Sequence, residues 1–228
     1  MVDYKNILEE RIAFNSKYVE SGVEFIDITQ AYIKGNVKIG KGTVIYPCVV
    51  IEGDVTIGEN CLIGQNSRIV DSHIGNEVSV QTSHIIESRV GDKTSIGPFA
   101  YLRPNSNIGS KCKVGDFVEV KNSNFGDGSK ASHLTYIGDA DVGERVNLGC
   151  GVVFVNYDGK NKYRTRVESD SFVGCNTNLV SPVCVGEKAY IAAGSTVTEN
   201  VPSGALHIAR SKGETKENWV KKSGLLSK

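Results

Sequence analysis

The chain has 228 residues, and its 26 Lys and Arg balance its 26 Asp and Glu, so the net charge is zero. That balance makes no case for a nucleic-acid footprint, which would need a basic face, and no apolar run approaches the ~20 residues that span a bilayer. Aromatic residues make up only 7% while glycine occurs 25 times, a composition suited to a fold that turns many narrow corners.

The opening MVDYKNILEERIAF is polar and carries acidic residues. It reads as neither a signal nor a transit peptide, and the protein is expected in the cytoplasm. Residues 3–21 space their apolar side chains as a helix does, and Gly22 closes them off. A helical segment is therefore expected over 1–25.

From Ile39 an aliphatic residue returns at every sixth position. Ile39, Ile45, Ile51, Ile57, Ile63 and Ile69 make one ladder; Val90, Ile96, Leu102, Ile108, Val114 and Val120 make a second. Val173, Leu179, Val185, Ile191 and Val197 make a third. Six is neither the two-residue period of a strand nor the 3.6-residue period of a helix. It fits a short strand plus a corner, repeated: an all-β parallel β-helix of hexapeptides, expected over 26–204. The spacing slips to five between Ile69 and Val90, from Val120 to Phe125 and from Ile137 to Val142, which tightens single corners without ending the coil. Three hexapeptides make a coil of roughly 18 residues, so 30–202 should hold roughly nine.

The ladder fails for long only at VNYDGKNKYRTRVESDS, 155–171, which holds four cations. An excursion loop is expected there, and such loops commonly carry binding groups. After Pro202 the period stops, and SKGETKENWVKKSGLLSK predicts a short helix and a polar tail over 205–228, containing Trp219 and covering the last coil.

The six cysteines form no CxxC. Cys61 and Cys112 fall four places after a ladder residue, at the small-residue position, and read as core fillers; the other four read as reduced thiols. The four histidines, His73, His84, His133 and His207, lack ligand spacing, so no metal site is expected. His133 differs from the rest through its setting, GSKASHLTYIGDADVG. Nearby coils supply Arg103, Lys121, Tyr136 and Asn147, and the loop adds Asn156, Tyr157 and Lys162. Arg and Lys together suit a phosphate, and an imidazole suits proton abstraction near neutral pH.

GPFAYLRP (97–104), VGDFVEVKN (114–122), GSKASHLTYIGDADVGERVNLGCGV (128–152), NYDGKNKYRT (156–165) and SPVCVGEKAYIAAGSTVTENVPSGAL (181–206) together resemble one family. It is the acetyltransferase half of the bifunctional N-acetylglucosamine-1-phosphate uridyltransferase/glucosamine-1-phosphate acetyltransferases. The resemblance implies a left-handed β-helix, although parallel crossovers are otherwise right-handed. It also implies a homotrimer with active sites between subunits. His133 becomes the general base that takes a proton from the glucosamine 2-amine as it attacks the acetyl-CoA thioester. Arg103, Lys121 and Lys162 match contacts to the sugar phosphate, Tyr136 and Asn147 other sugar contacts, and Glu119 a carboxylate that orients the imidazole or the amine. The acetyl-CoA contacts fall on Cys150, Asn156, Tyr157, Cys175, Ala193 and Arg210. The family usually has alanine at position 150 and serine at 175, and a thiol is the poorer donor.

The implied activity is acetyl-CoA-dependent N-acetylation of glucosamine-1-phosphate, feeding UDP-N-acetylglucosamine and cell-wall precursor synthesis. These residues contain no strand–loop–helix segment with a glycine-rich phosphate loop. No uridyltransferase activity is therefore expected, which leaves that step to a separate uridylyltransferase. Two other readings stay open: an acetyltransferase for another amino sugar, and a non-catalytic trimerising partner of a sugar nucleotidyltransferase.

Overall fold

In the computed structural model, which describes residues 4–225, the N-terminal segment is one helix, α1 (Tyr4–Glu20). Gly22 ends it with φ +90°. The buried Asn15 donates to the carbonyls of Ile28 and Ala31 at 3.1 and 3.0 Å, Arg11 to Thr29 at 2.8 Å, and the Tyr18 hydroxyl to Val37 at 3.2 Å. Those carbonyls belong to the first coil, so α1 closes one end of the solenoid.

The six-residue period then builds three faces, and all pairings between the strands are parallel. Face I is a stack of eleven short strands from Glu24–Phe25 to Leu206–His207. Faces II and III form one continuous sheet, because Ala31–Ile39 and Val49–Ile57 bend across the corner between them. At that bend Gly35 and Gly53 lie in register with φ of +107° and +85°. A Cβ on Gly35 would sit 2.4 Å from the Gly53 oxygen, so only glycine fits. The architecture is the left-handed parallel β-helix, with about ten turns.

The ladder residues fill the prism: Ile45, Ile51, Ile63, Ile69, Leu102, Val120, Ile137, Leu179 and Ile191 are fully buried. Small hydroxyls line the corners and satisfy the backbone of neighbouring coils. Ser129 donates to the Gly143 oxygen at 2.7 Å and accepts from the Val146 N–H at 2.9 Å. Cys61 and Cys112 are buried at the same kind of position, each Sγ 3.1 Å from a carbonyl of the next coil, Gly75 and Gly126. Burial pushes both thiols up in pKa.

The excursion is shorter than expected. Val155 and Thr165–Val167 are rungs of the solenoid, the latter paired with Ala140–Val142 and with Cys184–Val185, and Thr165 and Val167 are buried. Only 156–164 leaves the coil; inserted residues break the count of six without removing the rung. The solenoid also reaches further, to Leu206–His207. The expected cover over the last coil is not seen among the described residues, since α2 (Trp219–Ser223) contains no buried residue. No described helix is long and apolar enough to cross a membrane.

Candidate active site

His133 ends the face I strand Lys130–His133, and Asp116 ends the strand in register with it, Lys113–Asp116. The two side chains leave the same corner, and His133 Nδ1 lies 2.5 Å from Asp116 Oδ1. The coils are tight here: a Cβ on Gly115 would fall 2.0 Å from the Ser132 oxygen. The bond from His133 is the main influence holding the Asp116 carboxyl below its usual range. An ionised carboxylate can only accept, so Nδ1 carries the hydrogen of this bond, which in a neutral ring leaves the lone pair on Nε2. The His133 side chain is 53% exposed, open to a substrate.

Glu119, expected to orient the imidazole or the amine, is paired with a cation in this structure. It lies around the corner on face II, and its carboxylate is 2.7 Å from Arg103 Nη1. The carboxylate bonded to His133 is Asp116, the residue in register with it.

Face II carries the cations. Arg103 follows the strand Tyr101–Leu102, Lys121 ends the strand Glu119–Lys121, and Lys162 reaches them from the loop. Lys162 is pushed below the usual ammonium range, first by its hydrogen-bond contact with Lys121 and by that residue's charge, then more weakly by Arg103. Glu119 and Asp139 offset two of these three cations, which leaves one positive charge in excess for an anion. Beneath them Asp139 accepts from both sides: Lys121 Nζ at 3.3 Å, Asn122 Nδ2 at 2.6 Å and Asn156 Nδ2 at 2.5 Å. Burial alone would raise the Asp139 pKa, yet these donors outweigh it and hold the carboxyl below its usual range.

Tyr136 stands beside this cluster, its hydroxyl 3.5 Å from Asn156 Nδ2. Its ring lies over Gly138, where a Cβ would come within 2.3–2.8 Å of the hydroxyl and ring atoms. Asn156 is thus anchored to the solenoid, while Tyr157 turns outward, 55% exposed, and bonds its own loop at the Gly159 oxygen.

The remaining sites fall elsewhere. Cys150, Cys175 and Ala193 stack along the face I–II corner that also carries His133, through Asn176 N–H to the Cys150 oxygen and Gly194 N–H to the Cys175 oxygen, both 2.8 Å. Arg210 Nη1 bonds the Ala193 carbonyl. Asn147 is on face I between Lys130 and Phe172, away from the face II cluster. Sequence reasoning missed Asp116, Asp139 and Asn122. The aspartates stand in the quoted VGDFVEVKN and IGDADVG segments, but only coil register reveals their partners. Among the described residues no group of three or more His, Cys, Asp or Glu side chains is arranged to hold a metal ion.

Two short stretches match family models: a bacterial transferase hexapeptide (six repeats) at residues 36–71, and a hexapeptide repeat of succinyl-transferase at 164–199. The second begins inside the segment where the expected ladder was lost. Among curated proteins, the bifunctional protein GlmU of Alkaliphilus oremlandii is 59% identical over the whole chain and that of Clostridium beijerinckii 56% identical over 99% of it. The GlmU of Clostridioides difficile is 54% identical over 96%. The chain spans about half the length of these relatives, 50%, 49% and 47% respectively. A solved UDP-N-acetylglucosamine acyltransferase from Francisella novicida is 21% identical, with a TM-score of 0.41 over 86% of this chain and 72% of that one. That likeness is too weak to bear on function. The hexapeptide solenoid and the match along the whole chain identify it as the counterpart of one half of the GlmU proteins.

Proposed function

We propose that the chain transfers an acetyl group from acetyl-CoA to the 2-amine of glucosamine-1-phosphate. The observation that carries this reading is a carboxylate-held imidazole at the corner that leads onto the face carrying three cations. The phosphate bridges Arg103, Lys121 and Lys162, and Tyr136 bounds the sugar. The amine nitrogen attacks the thioester carbonyl, His133 Nε2 accepts the amine proton, and the CoA thiolate leaves and is protonated. Holding amine and thioester in line supplies much of the acceleration, and general-base catalysis adds ~10²–10⁴-fold. Glu119, tied to Arg103, helps fix the phosphate clamp.

The donor runs along the corner of Cys150, Cys175 and Ala193, with Asn156, Tyr157 and Arg210 at its margins. A homotrimer completes the site in this reading. Two features favour it: Asn147 lies on face I, apart from the face II cluster, and Phe99, Phe117 and Leu134 stand exposed at the corner beside His133, the two rings stacked at 5.3 Å. An exposed apolar edge of this kind suits a second copy.

Thiol release from acetyl-CoA, measured with glucosamine-1-phosphate, glucosamine and UDP-glucosamine, tests the proposal. Release is expected with glucosamine-1-phosphate and lost in His133→Ala, with acetyl-CoA binding retained. Release with glucosamine alone would favour another amino-sugar acceptor, and none with any acceptor a non-catalytic solenoid.

A further inference from the structure

Two thiols occupy the donor corner, and the proposed reaction uses neither. Leu148 pairs with Val173, and two residues on, the Asn176 N–H donates to the Cys150 carbonyl at 2.8 Å. That bond sets Cys150 directly opposite Cys175 in adjacent coils. In-register neighbours in parallel strands lie ~4.8 Å apart, inside the ~4.4–6.8 Å between Cα atoms that a disulfide bridges. The backbones are in close contact, since a Cβ on Gly149 would fall 2.6 Å from the Cys175 nitrogen.

The pair differs from the other cysteines. Cys61 and Cys112 are buried and bonded to carbonyls. Cys48 contacts Gln30 Oε1 at 3.3 Å, and Cys184 stands in register with Arg166 on face III. Cys175 is exposed and Cys150 partly so. Arg210 is bonded to the next residue in the same column, Ala193.

We propose that Cys150 and Cys175 form an oxidisable dithiol, a modification site for small disulfides, whose closure shuts the acetyl-donor corner; the second part rests on the function proposed above. One protein thiolate attacks the small disulfide, forming a mixed disulfide and releasing one small thiolate. The second protein thiolate attacks the protein-side sulfur, closes the Cys150–Cys175 bond and releases the other. The protons of the two protein thiols go to the two leaving thiolates, so the protein loses two electrons and the small disulfide gains them. The new bond lies across the corner one coil from His133, because Ala131 pairs with Leu148. Acetyl transfer stops until a reductant reopens it.

The full chain is treated with oxidised glutathione under native conditions and mapped by non-reducing peptide mass spectrometry, with acetyl transfer followed in parallel. A linked 150–175 peptide pair is expected, with loss of turnover that dithiothreitol reverses. The Cys48→Ser/Cys184→Ser double variant should respond as the parent does. Glutathione adducts on Cys48 or Cys184 with positions 150 and 175 unlinked overturn the dithiol. A fully linked protein with unchanged turnover overturns the closure. If the reduced protein transfers no acetyl group, the proposed function fails by itself, and the mass map still decides whether the bond forms.

Discussion

Asp139→Asn isolates the groundwork beneath the cation cluster. The Asp139 side chain is 9% exposed and Lys121 20%, so neither charge is well served by water. One carboxylate oxygen takes Asn122 and the other takes Asn156. An asparagine turned either way points its own NH₂ at one of these donors, so one bond is lost and Lys121 loses its counter-ion. A hydrogen bond to a charged group contributes about 1.5–3 kcal/mol, and an unpaired, partly buried charge adds to the loss. The expected destabilisation is about 2–4 kcal/mol, or roughly 4–16 °C in Tm at ~2–4 °C per kcal/mol for a chain of this size. Because the folded pKa is depressed, this contribution is fully present above the unfolded value of ~3.9 and is lost as pH falls through the lower folded value. Calorimetry from pH 7 downward should therefore show a gap between parent and variant that closes only in strong acid. A variant that melts with the parent at pH 7 would refute the reasoning.

Asp116→Asn tests the imidazole's hold: the amide can turn either donor or acceptor toward Nδ1, so kcat should fall by about 10–100-fold, part of the ~10²–10⁴ that a general base supplies, with KM for acetyl-CoA unchanged. An unaltered kcat would remove Asp116 from the mechanism. Gly138→Ala displaces the Tyr136 ring, whose atoms lie within 2.8 Å of the added carbon; KM for the acceptor should rise while the far-UV circular dichroism stays the same. An unchanged KM would mean that Tyr136 does not bound the sugar.

The scaffold was legible because a solenoid repeats one local solution. Ile45 to Ile69 announce a row that the fold buries in the same row. Insertions defeat that reading: the 156–164 loop hid the Thr165–Val167 rung, although Val167 and Val173 keep the spacing of six. The site was legible by residue type at His133, Arg103 and Lys121. Its supporting carboxylates were not, because they touch their partners across coils. Asp116 meets His133 from 17 positions away and Asp139 meets Lys121 from 18. Glu119, nearer in kind to the expected orienter, belongs to Arg103 for the same reason. Only Phe117 and Val118 separate the two faces at that corner.

The helix at the start of the chain gives the solenoid a direction. Its side chains occupy the carbonyls of the first coil, whereas at the far end Leu206–His207 is followed by α2, which contains no buried residue. A stack in which each turn holds only its neighbours unravels from its weaker end. Opening from the C-terminal rung must release the turns of Tyr190, Phe172 and Asn147 before it reaches His133. The base and its cations sit in the interior of the column, shielded from fraying by their distance along it. The corner proposed for the acetyl donor is nearer that end, where small motions are least costly and the long, flexible CoA of the proposed reaction can come and go.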